Sequence, residues 1–258
     1  MREIFTISLA VMRIRGLVPL AIALASATAS TGCGGTSLFR QYEYEEELYV
    51  SLDGTATVYV NTSVAALDAL RGATLSTSPA ARVNRDLVRA FYSSPNTHVT
   101  WVRESRRQGR RFVHVRLDAD DITRLSSAAP FAWSSYTFRR DGDEFVYRQT
   151  LGPSADRPVG GVGWTGRELV AFRLHLPSRI TFHNTGTDVR RGNILVWEQP
   201  LSDRLHGAPL TLDARMQTQS ILYHTLWLFG ATFVAVVIAF VGVIGWVLRR
   251  GPRHAETV

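Results

Sequence analysis

Four arginines lie close together near the middle of the chain. Arg106 and Arg107 are separated from Arg110 and Arg111 by a Gln-Gly pair. Guanidinium groups repel one another and grip phosphate through paired hydrogen bonds, so we expect this hairpin tip to be solvated or to face anions. Two interpretations stay open: a solvated turn partly neutralised by Glu104, or a site for an anionic lipid or phosphorylated glycan with an apolar cavity behind it.

A second group of charges lies near the start of the predicted fold. Glu43, Glu45 and Glu47 occupy every second position, which places them on one face of a strand about 7 Å apart. Two neighbouring carboxylates are a common acid–base pair. We expect these ones to pair with arginines on an adjacent strand, and such pairing requires no catalytic role.

The histidines and the glycine-rich stretch lack the sequence spacing of known metal and phosphate sites. No pair of histidines forms the His-x-x-x-His spacing of a zinc site, so we expect surface histidines, no metal site and no cofactor. The glycines at 160, 161 and 163 resemble a phosphate loop, but no Lys-Ser/Thr follows them, which favours a flexible loop. The histidines in or beside predicted strands are His98, His114, His175 and His183.

Composition excludes several enzyme classes. All 29 Lys+Arg residues are arginine, so Schiff-base and Ser-Lys mechanisms are absent. Cys33 is the single cysteine, which excludes an intramolecular disulfide and cysteine-based metal centres. The net charge of +7 does not by itself imply nucleic acid, and no nucleic-acid partner is expected.

The elements that must position these residues are mostly strands. Alternating residues predict a strand at 42–52, and Asp53-Gly54 predicts its hairpin turn. Successive hairpins imply antiparallel pairing, so the predicted class is α+β and mainly antiparallel β: a curled sheet or partly open barrel with two or three short helices and one C-terminal transmembrane helix. Further strands are predicted at 55–60, 98–106, 111–117, 134–139, 144–150, 168–176, 179–182, 193–198 and 210–216, and helices at 64–71, 80–92 and 118–127.

The C-terminal part of the chain reads as a membrane anchor. Residues 225–248 carry no charged side chain and exceed the about 20 residues that cross a bilayer. Arginines follow only the C-terminal end, so the tail at 249–258 is expected in the cytoplasm and the β-rich domain at 33–223 outside. Small residues at four-residue spacing predict self-association or a partner helix, with lipid-facing alanines as the alternative. They are Ala231, Ala235 and Ala239.

The N-terminal segment predicts export. Residues 1–32 combine scattered arginines, an apolar run and small residues, the layout of a signal peptide; Met12 offers a more compact alternative start. The sequence Ser30-Thr-Gly-Cys33 resembles a lipobox, which makes Cys33 the predicted lipidation site. Ordinary cleavage after Ala27-Thr-Ala29 is the alternative.

Three stretches together resemble a bacterial family. They are 52–57 (LDGTAT), 176–186 (LPSRITFHNTG) and 192–197 (GNILVW). The same chain has a predicted signal peptide that ends at a cysteine and a predicted C-terminal transmembrane helix. This pattern is similar to that of the LppM-like envelope lipoproteins, although Ser178 stands at the usual glycine. The resemblance implies a β-rich extracytoplasmic domain that binds lipid or glycolipid, and it carries no catalytic residues.

Two functions from different classes remain. The first is a non-enzymatic envelope module at the bacterial cytoplasmic membrane that binds a lipid, a glycolipid or a protein partner. The second is a membrane-tethered hydrolase whose site is assembled from distant residues. The missing catalytic motifs favour the first, and the partners expected are the membrane itself, an anionic lipid or glycolipid, and a second copy or partner helix.

Overall fold

The computed structural model describes residues 40–78, 80–186 and 193–249 of the 258-residue chain. Contacts divide the chain into residues 1–41 and 42–258, and the fold below is that of the second unit. The predicted signal peptide, the predicted lipidation site Cys33 and nearly all of the predicted cytoplasmic tail lie outside the described residues. Those three expectations stay predictions.

Six strands form a large sheet in the order β3-β4-β2-β1-β7-β9. All neighbours in it are antiparallel except β1 and β7, which run parallel. Its strands are β1 (Tyr42–Val50), β2 (Ala56–Ser63), β3 (Thr97–Arg107), β4 (Arg110–Ala119), β7 (Leu169–His175) and β9 (Ile194–Pro200).

Four strands form a small sheet in the order β5-β6-β10-β8, and all its neighbours are antiparallel. They are β5 (Ser134–Asp141), β6 (Glu144–Leu151), β8 (Ser178–His183) and β10 (Leu210–Ser220). The predicted α+β class with mainly antiparallel strands is confirmed. Among the described residues the strands form these two sheets and no closed barrel.

Side chains from both sheets meet in one hydrophobic core. Alternation explains this arrangement, because every second residue of a strand points to the same face. The large sheet contributes Tyr44, Leu48, Val58, Val60, Val115 and Leu117, and the small sheet contributes Tyr147, Leu212, Ala214 and Met216.

Short helices connect the strands. In α1 (Val64–Arg71) the Ser63 hydroxyl accepts the Ala66 N–H, and Gly72 ends the helix at φ 71°, as predicted for 64–71. The helix predicted at 80–92 is found only as α2 (Arg85–Tyr92), because the Asn84 side chain caps it by accepting two backbone N–H groups. A five-residue helix, α3 (Leu201–Leu205), follows β9.

The helix predicted at 118–127 is wrong in its first part. Strand β4 continues to Ala119, so Asp118 is a strand residue whose carboxylate accepts from Thr57. A 3-10 helix, Ile122–Ser127, begins only after Asp121, whose side chain accepts the Thr123 N–H.

The last described element is the apolar helix α4 (Ile221–Arg249). Its segment Thr225–Arg249 has 25 residues and a mean hydropathy of 2.6, and none of it is buried inside the protein. At 1.5 Å per residue such a segment extends ~37 Å, more than the hydrocarbon core needs. By length and composition this helix is able to cross a membrane.

Candidate functional site: a cavity beside the arginine tip

The four predicted arginines lie around the β3–β4 turn but do not share one environment. The side chains of Arg106 and Arg107 are exposed. Arg107 also stacks on Phe112, with its guanidinium carbon 4.3 Å from the ring centre, and donates to the Tyr42 carbonyl. Arg111 is only 4 % exposed and donates to the Ser76 carbonyl.

Arg110 is held by two carboxylates. Its Nη2 lies 3.2 Å from the Glu43 carboxylate and its Nη1 lies 3.7 Å from that of Glu168, while its own side chain is 12 % exposed. Nη1 also donates to the Gly163 carbonyl at 3.3 Å. The remaining donor, Nε, is buried and has no hydrogen-bond partner within the described part of the chain. Arg110 therefore keeps one N–H group free of any protein acceptor there.

A cavity of about 380 Å³ opens beside this tip. Four segments line it: the start of α1, a short loop after it, the turn of the β3–β4 hairpin, and the glycine-rich loop. The lining residues are Ser63, Val64, Ala65, Thr77, Ser78, Gln108, Gly109, Arg110, Arg111, Val159, Gly161, Val162 and Gly163. Two features that the sequence presents separately, the arginine tip and the glycine loop, thus meet at one place.

The start of α1 adds backbone donors to the cavity. The first amide groups of a helix have no intrahelical acceptor, and the helix dipole makes this end attractive to anions. The Ser63 hydroxyl satisfies the Ala66 N–H, whereas Val64 and Ala65 line the cavity. The start of α1, Arg110 and Arg111 thus line one space. Helix N-termini and guanidiniums both favour negatively charged groups, although the carboxylates of Glu43 and Glu168 offset the charge of Arg110.

The glycine-rich loop contributes Gly161 and Gly163 to the cavity wall, together with Val159 and Val162. Gly160 and Gly163 adopt φ angles of 70° and 75°, which other residues reach only with strain. A Cβ at Gly161 would meet nothing within 4 Å. The loop therefore leaves open space at Gly161 in the cavity that Arg110 also lines.

Glu168 contacts both the end of the glycine loop and Arg110. Its carboxylate accepts the backbone N–H groups of Thr165 and Gly166 at 2.7 and 2.8 Å. Burial would raise the pKa of this carboxyl, but these hydrogen bonds outweigh burial and its pKa is lowered. Glu168 thus stays ionised and fixes both the end of the glycine loop and Arg110.

The expectation that the three alternating carboxylates pair with arginines on an adjacent strand is met only by Glu45. Glu45 lies 2.5 Å from Arg173 and Glu47 lies 2.5 Å from His175, both on the adjacent strand β7. Glu43 differs, because it is wholly buried, and it pairs instead with Arg110 while accepting the Trp164 indole N–H at 3.2 Å. Its role is to position the cavity arginine.

The hydrogen bond from His175 holds the pKa of Glu47 below its usual range; burial opposes this effect, and the Tyr49 hydroxyl reinforces it.

A further polar group, which we call the interior cluster, lies in the core. Glu46 is wholly buried; its carboxylate accepts from the Tyr44 hydroxyl at 2.8 Å and from Gln149 at 3.0 Å, and it lies 3.8 Å from Arg71. Tyr147 donates to Gln149 at 2.8 Å. Burial raises the pKa of Tyr44 and of Tyr147, so both hydroxyls remain donors.

The interior cluster connects three elements: β1, the last residue of α1 and β6. Because Arg71 ends the helix whose first turn lines the cavity, this cluster fixes the orientation of α1. The sequence did not single out Glu46. It lies two residues from both Tyr44 and Leu48, so strand alternation points its side chain to the core with theirs.

The remaining candidate residues lie elsewhere. Ala231, Ala235 and Ala239 are exposed along α4, and their role in helix contacts stays a prediction. Among the residues that the structure describes, no group of three histidine, cysteine, aspartate or glutamate side chains is placed to hold a metal ion.

Comparisons with known proteins add little. No protein family and no curated protein matches the chain. Among solved structures, the chain is similar to the NMR structure of the folded domain of the Mycobacterium tuberculosis LppM protein, with a TM-score of 0.39 and 13 % sequence identity over 69 % of this chain and 92 % of that chain. A TM-score of this size carries no argument about function.

Proposed function

We propose that this protein is a membrane-anchored module that binds the anionic headgroup of a lipid or glycolipid in the cavity beside the arginine tip. The observation that carries the proposal is the convergence of Arg110, Arg111 and the first turn of α1 on one cavity. Each of these groups attracts negative charge, which favours an anionic headgroup over an uncharged acyl chain as the ligand.

A membrane anchor supports this proposal, because it keeps the folded domain close to lipid headgroups. Helix α4 is long and apolar enough to span a bilayer, and Arg249 at its C-terminal end favours an orientation with the folded domain outside the cytoplasm. A domain tethered next to a membrane meets lipid headgroups at high effective concentration. Weak intrinsic affinity is therefore sufficient for binding.

The arginines have separate roles in this proposal. Arg110 and Arg111 line the cavity and bind the phosphate directly, while Glu43 and Glu168 hold Arg110 in place. Arg106 and Arg107 are exposed at the tip and attract the anionic surface, where each contributes about 1 kcal/mol. Binding should therefore weaken as salt rises, because exposed charges are screened beyond about 8 Å at physiological ionic strength.

Native mass spectrometry of the full chain in detergent micelles tests this proposal. We expect adducts with phosphatidylinositol or phosphatidylglycerol at lower concentrations than with phosphatidylcholine. A parallel titration with inorganic phosphate separates recognition of a free anion from recognition of a lipid headgroup. Equal binding of zwitterionic and anionic lipids would refute the proposal.

A matched pair of variants locates the site. Gly161→Asp places a carboxylate in the cavity wall, where a Cβ meets no other atom, and should weaken anionic lipid binding about tenfold, which corresponds to 1.4 kcal/mol. Gly161→Asn has the same size without the charge and should bind nearly as the parent does. If both variants bind alike, the cavity is not the site.

The hydrolase alternative has its own outcome in this experiment. A binding module releases its lipid unchanged, whereas a hydrolase releases cleaved products. Recovery of intact lipid after prolonged incubation with the parent protein supports binding. If the parent protein instead forms cleaved products over time and the Gly161→Asp variant does not, the protein is a hydrolase that acts at this cavity.

A further inference from the structure

A row of four rings crosses the face of the large sheet that points away from the core. The rings belong to His175 on β7, Tyr49 on β1, Tyr59 on β2 and Trp101 on β3. Their successive centroid distances are 3.9, 5.6 and 6.3 Å. We call these four residues the aromatic row. None of them lines the cavity described above.

The aromatic row is accessible to solvent. Tyr49 is 41 % exposed, and the other three rings are partly exposed. Two exposed or partly exposed arginines accompany it: the guanidinium carbon of Arg103 lies 4.7 Å from the Trp101 ring centre, and that of Arg116 lies 5.6 Å from the Tyr59 ring centre. Tyrosine, tryptophan and arginine together are the residues enriched where proteins bind partners.

Charges around the aromatic row are balanced in number. Three arginines, Arg103, Arg116 and Arg173, are matched by three carboxylates, Glu45, Glu47 and Asp118. Arg173 lies 2.5 Å from Glu45, and Arg116 lies 4.0 Å from Asp118. A polyanion such as a nucleic acid requires a surplus of positive charge, which this face does not offer. Its balanced charges instead present hydrogen-bond donors and acceptors side by side.

From this combination we propose that the aromatic row binds a neutral glycan. The electron-rich face of an aromatic ring attracts the weakly positive C–H groups of a sugar ring. Around the rings, carboxylates, guanidiniums and the amide of Asn61 are bidentate groups that match neighbouring hydroxyls. An anionic lipid surface would need a surplus of positive charge, which this face does not offer.

The site is therefore separate from the cavity in place and in chemistry. Tyr59 pairs with Arg116 and Ser63 pairs with Phe112, so the row lies four residues, about 13 Å, along the strands from the start of α1. The proposed headgroup site and the proposed glycan site thus lie at separate places on one domain.

The test uses the full chain in micelles of lauryldimethylamine oxide, because detergents with sugar headgroups would compete. We expect the labelled protein to bind neutral oligosaccharides on a glycan array. The same oligosaccharides, where they are soluble, should bind the protein in titration calorimetry. This binding should change less than twofold when sodium chloride is raised from low to high concentration.

Variants locate the binding to the row. Tyr59→Ala combined with Trp101→Ala should reduce affinity at least tenfold. The matched control is Phe182→Ala, which removes another exposed ring, one that Arg215 covers at 5.7 Å in the small sheet, and it should leave glycan binding unchanged. Gly161→Asp should also leave it unchanged.

Three results would overturn the inference. They are a parent protein that binds no neutral glycan, glycan binding that survives the double substitution, and binding confined to sulfated or phosphorylated glycans that salt abolishes. The last result would identify the face as a polyanion surface.

Discussion

Replacing Glu46 with leucine tests whether the interior cluster holds the fold together. Glu46 accepts hydrogen bonds from Tyr44 and Gln149 and faces Arg71, and the side chains of the ion pair are 0 % and 4 % exposed. Glu46→Leu keeps the side-chain volume at this position roughly constant but leaves the Arg71 guanidinium buried without its carboxylate partner. Removing one partner of a buried ion pair costs about 3–5 kcal/mol.

The size of the effect follows from the length of the domain. For a domain of roughly 150–250 residues, 1 kcal/mol lowers the midpoint of thermal unfolding by about 2–4 °C. The Glu46→Leu variant should therefore unfold about 6–20 °C below the parent. Circular dichroism in the near ultraviolet, measured on the full chain in micelles, reports loss of the packed domain rather than of helix α4.

A double substitution gives the decisive comparison. In Glu46→Leu with Arg71→Met no buried charge is left unpaired, and replacing both ions by apolar groups is often close to neutral. The orphaned hydroxyl of Tyr44 still costs about 1–3 kcal/mol, so at least part of the stability should return. If the double variant is as unstable as Glu46→Leu alone, the ion pair is not the source of the loss and the reasoning fails.

Three other predictions concern separate parts of the molecule. Gly152→Ala should destabilise the domain by about 1–3 kcal/mol, since the added Cβ would lie 2.5 Å from the Trp133 carbonyl oxygen; an unchanged denaturant midpoint would contradict this. Because the pKa of Glu47 is lowered in the fold, its contribution to stability is present above the usual carboxyl pKa of about 4.3 and is lost as the pH falls through the lowered value. The unfolding free energy of Glu47→Gln should accordingly change less with acid than that of the parent, and identical pH profiles would show that the pair with His175 does not matter. Finally, a reporter enzyme fused after the last residue should be active only in the cytoplasm, and one fused just before the apolar helix only outside it; the reverse pattern would invert the proposed orientation.

Local structure was predictable wherever alternation and turn residues agreed. All ten predicted strands occur, and the Asp53-Gly54 turn does begin the return to β2, with Gly54 at φ 89°. Such signals lie within a few residues of each other, so one chain segment contains them completely. The pairing of β1 with β7 was not predictable in this way, because its partners are separated by more than a hundred residues.

The candidate site was only partly predictable for a related reason. The arginine tip was recognised by composition, but its four side chains were treated as alike. The structure separates them, since burial of Arg110 depends on Glu43 in β1 and on Glu168 just before β7, both far from it along the chain. Likewise Glu46 was passed over because a carboxylate is assumed to face water unless a buried partner is known, and Arg71 lies on another element.

The parallel pairing of β1 with β7 also governs how the domain can form. During synthesis the first strand has only β2 beside it, and the chain must continue through both hairpins and the glycine loop before Leu169–His175 is available. Closing so long a loop precedes any gain from the contact, which makes folding slow in proteins dominated by distant pairings. Until then the other edge of β1 exposes unpaired backbone groups, a hazard for aggregation. We therefore expect that a nascent chain cut short before β7 requires a chaperone that covers this edge.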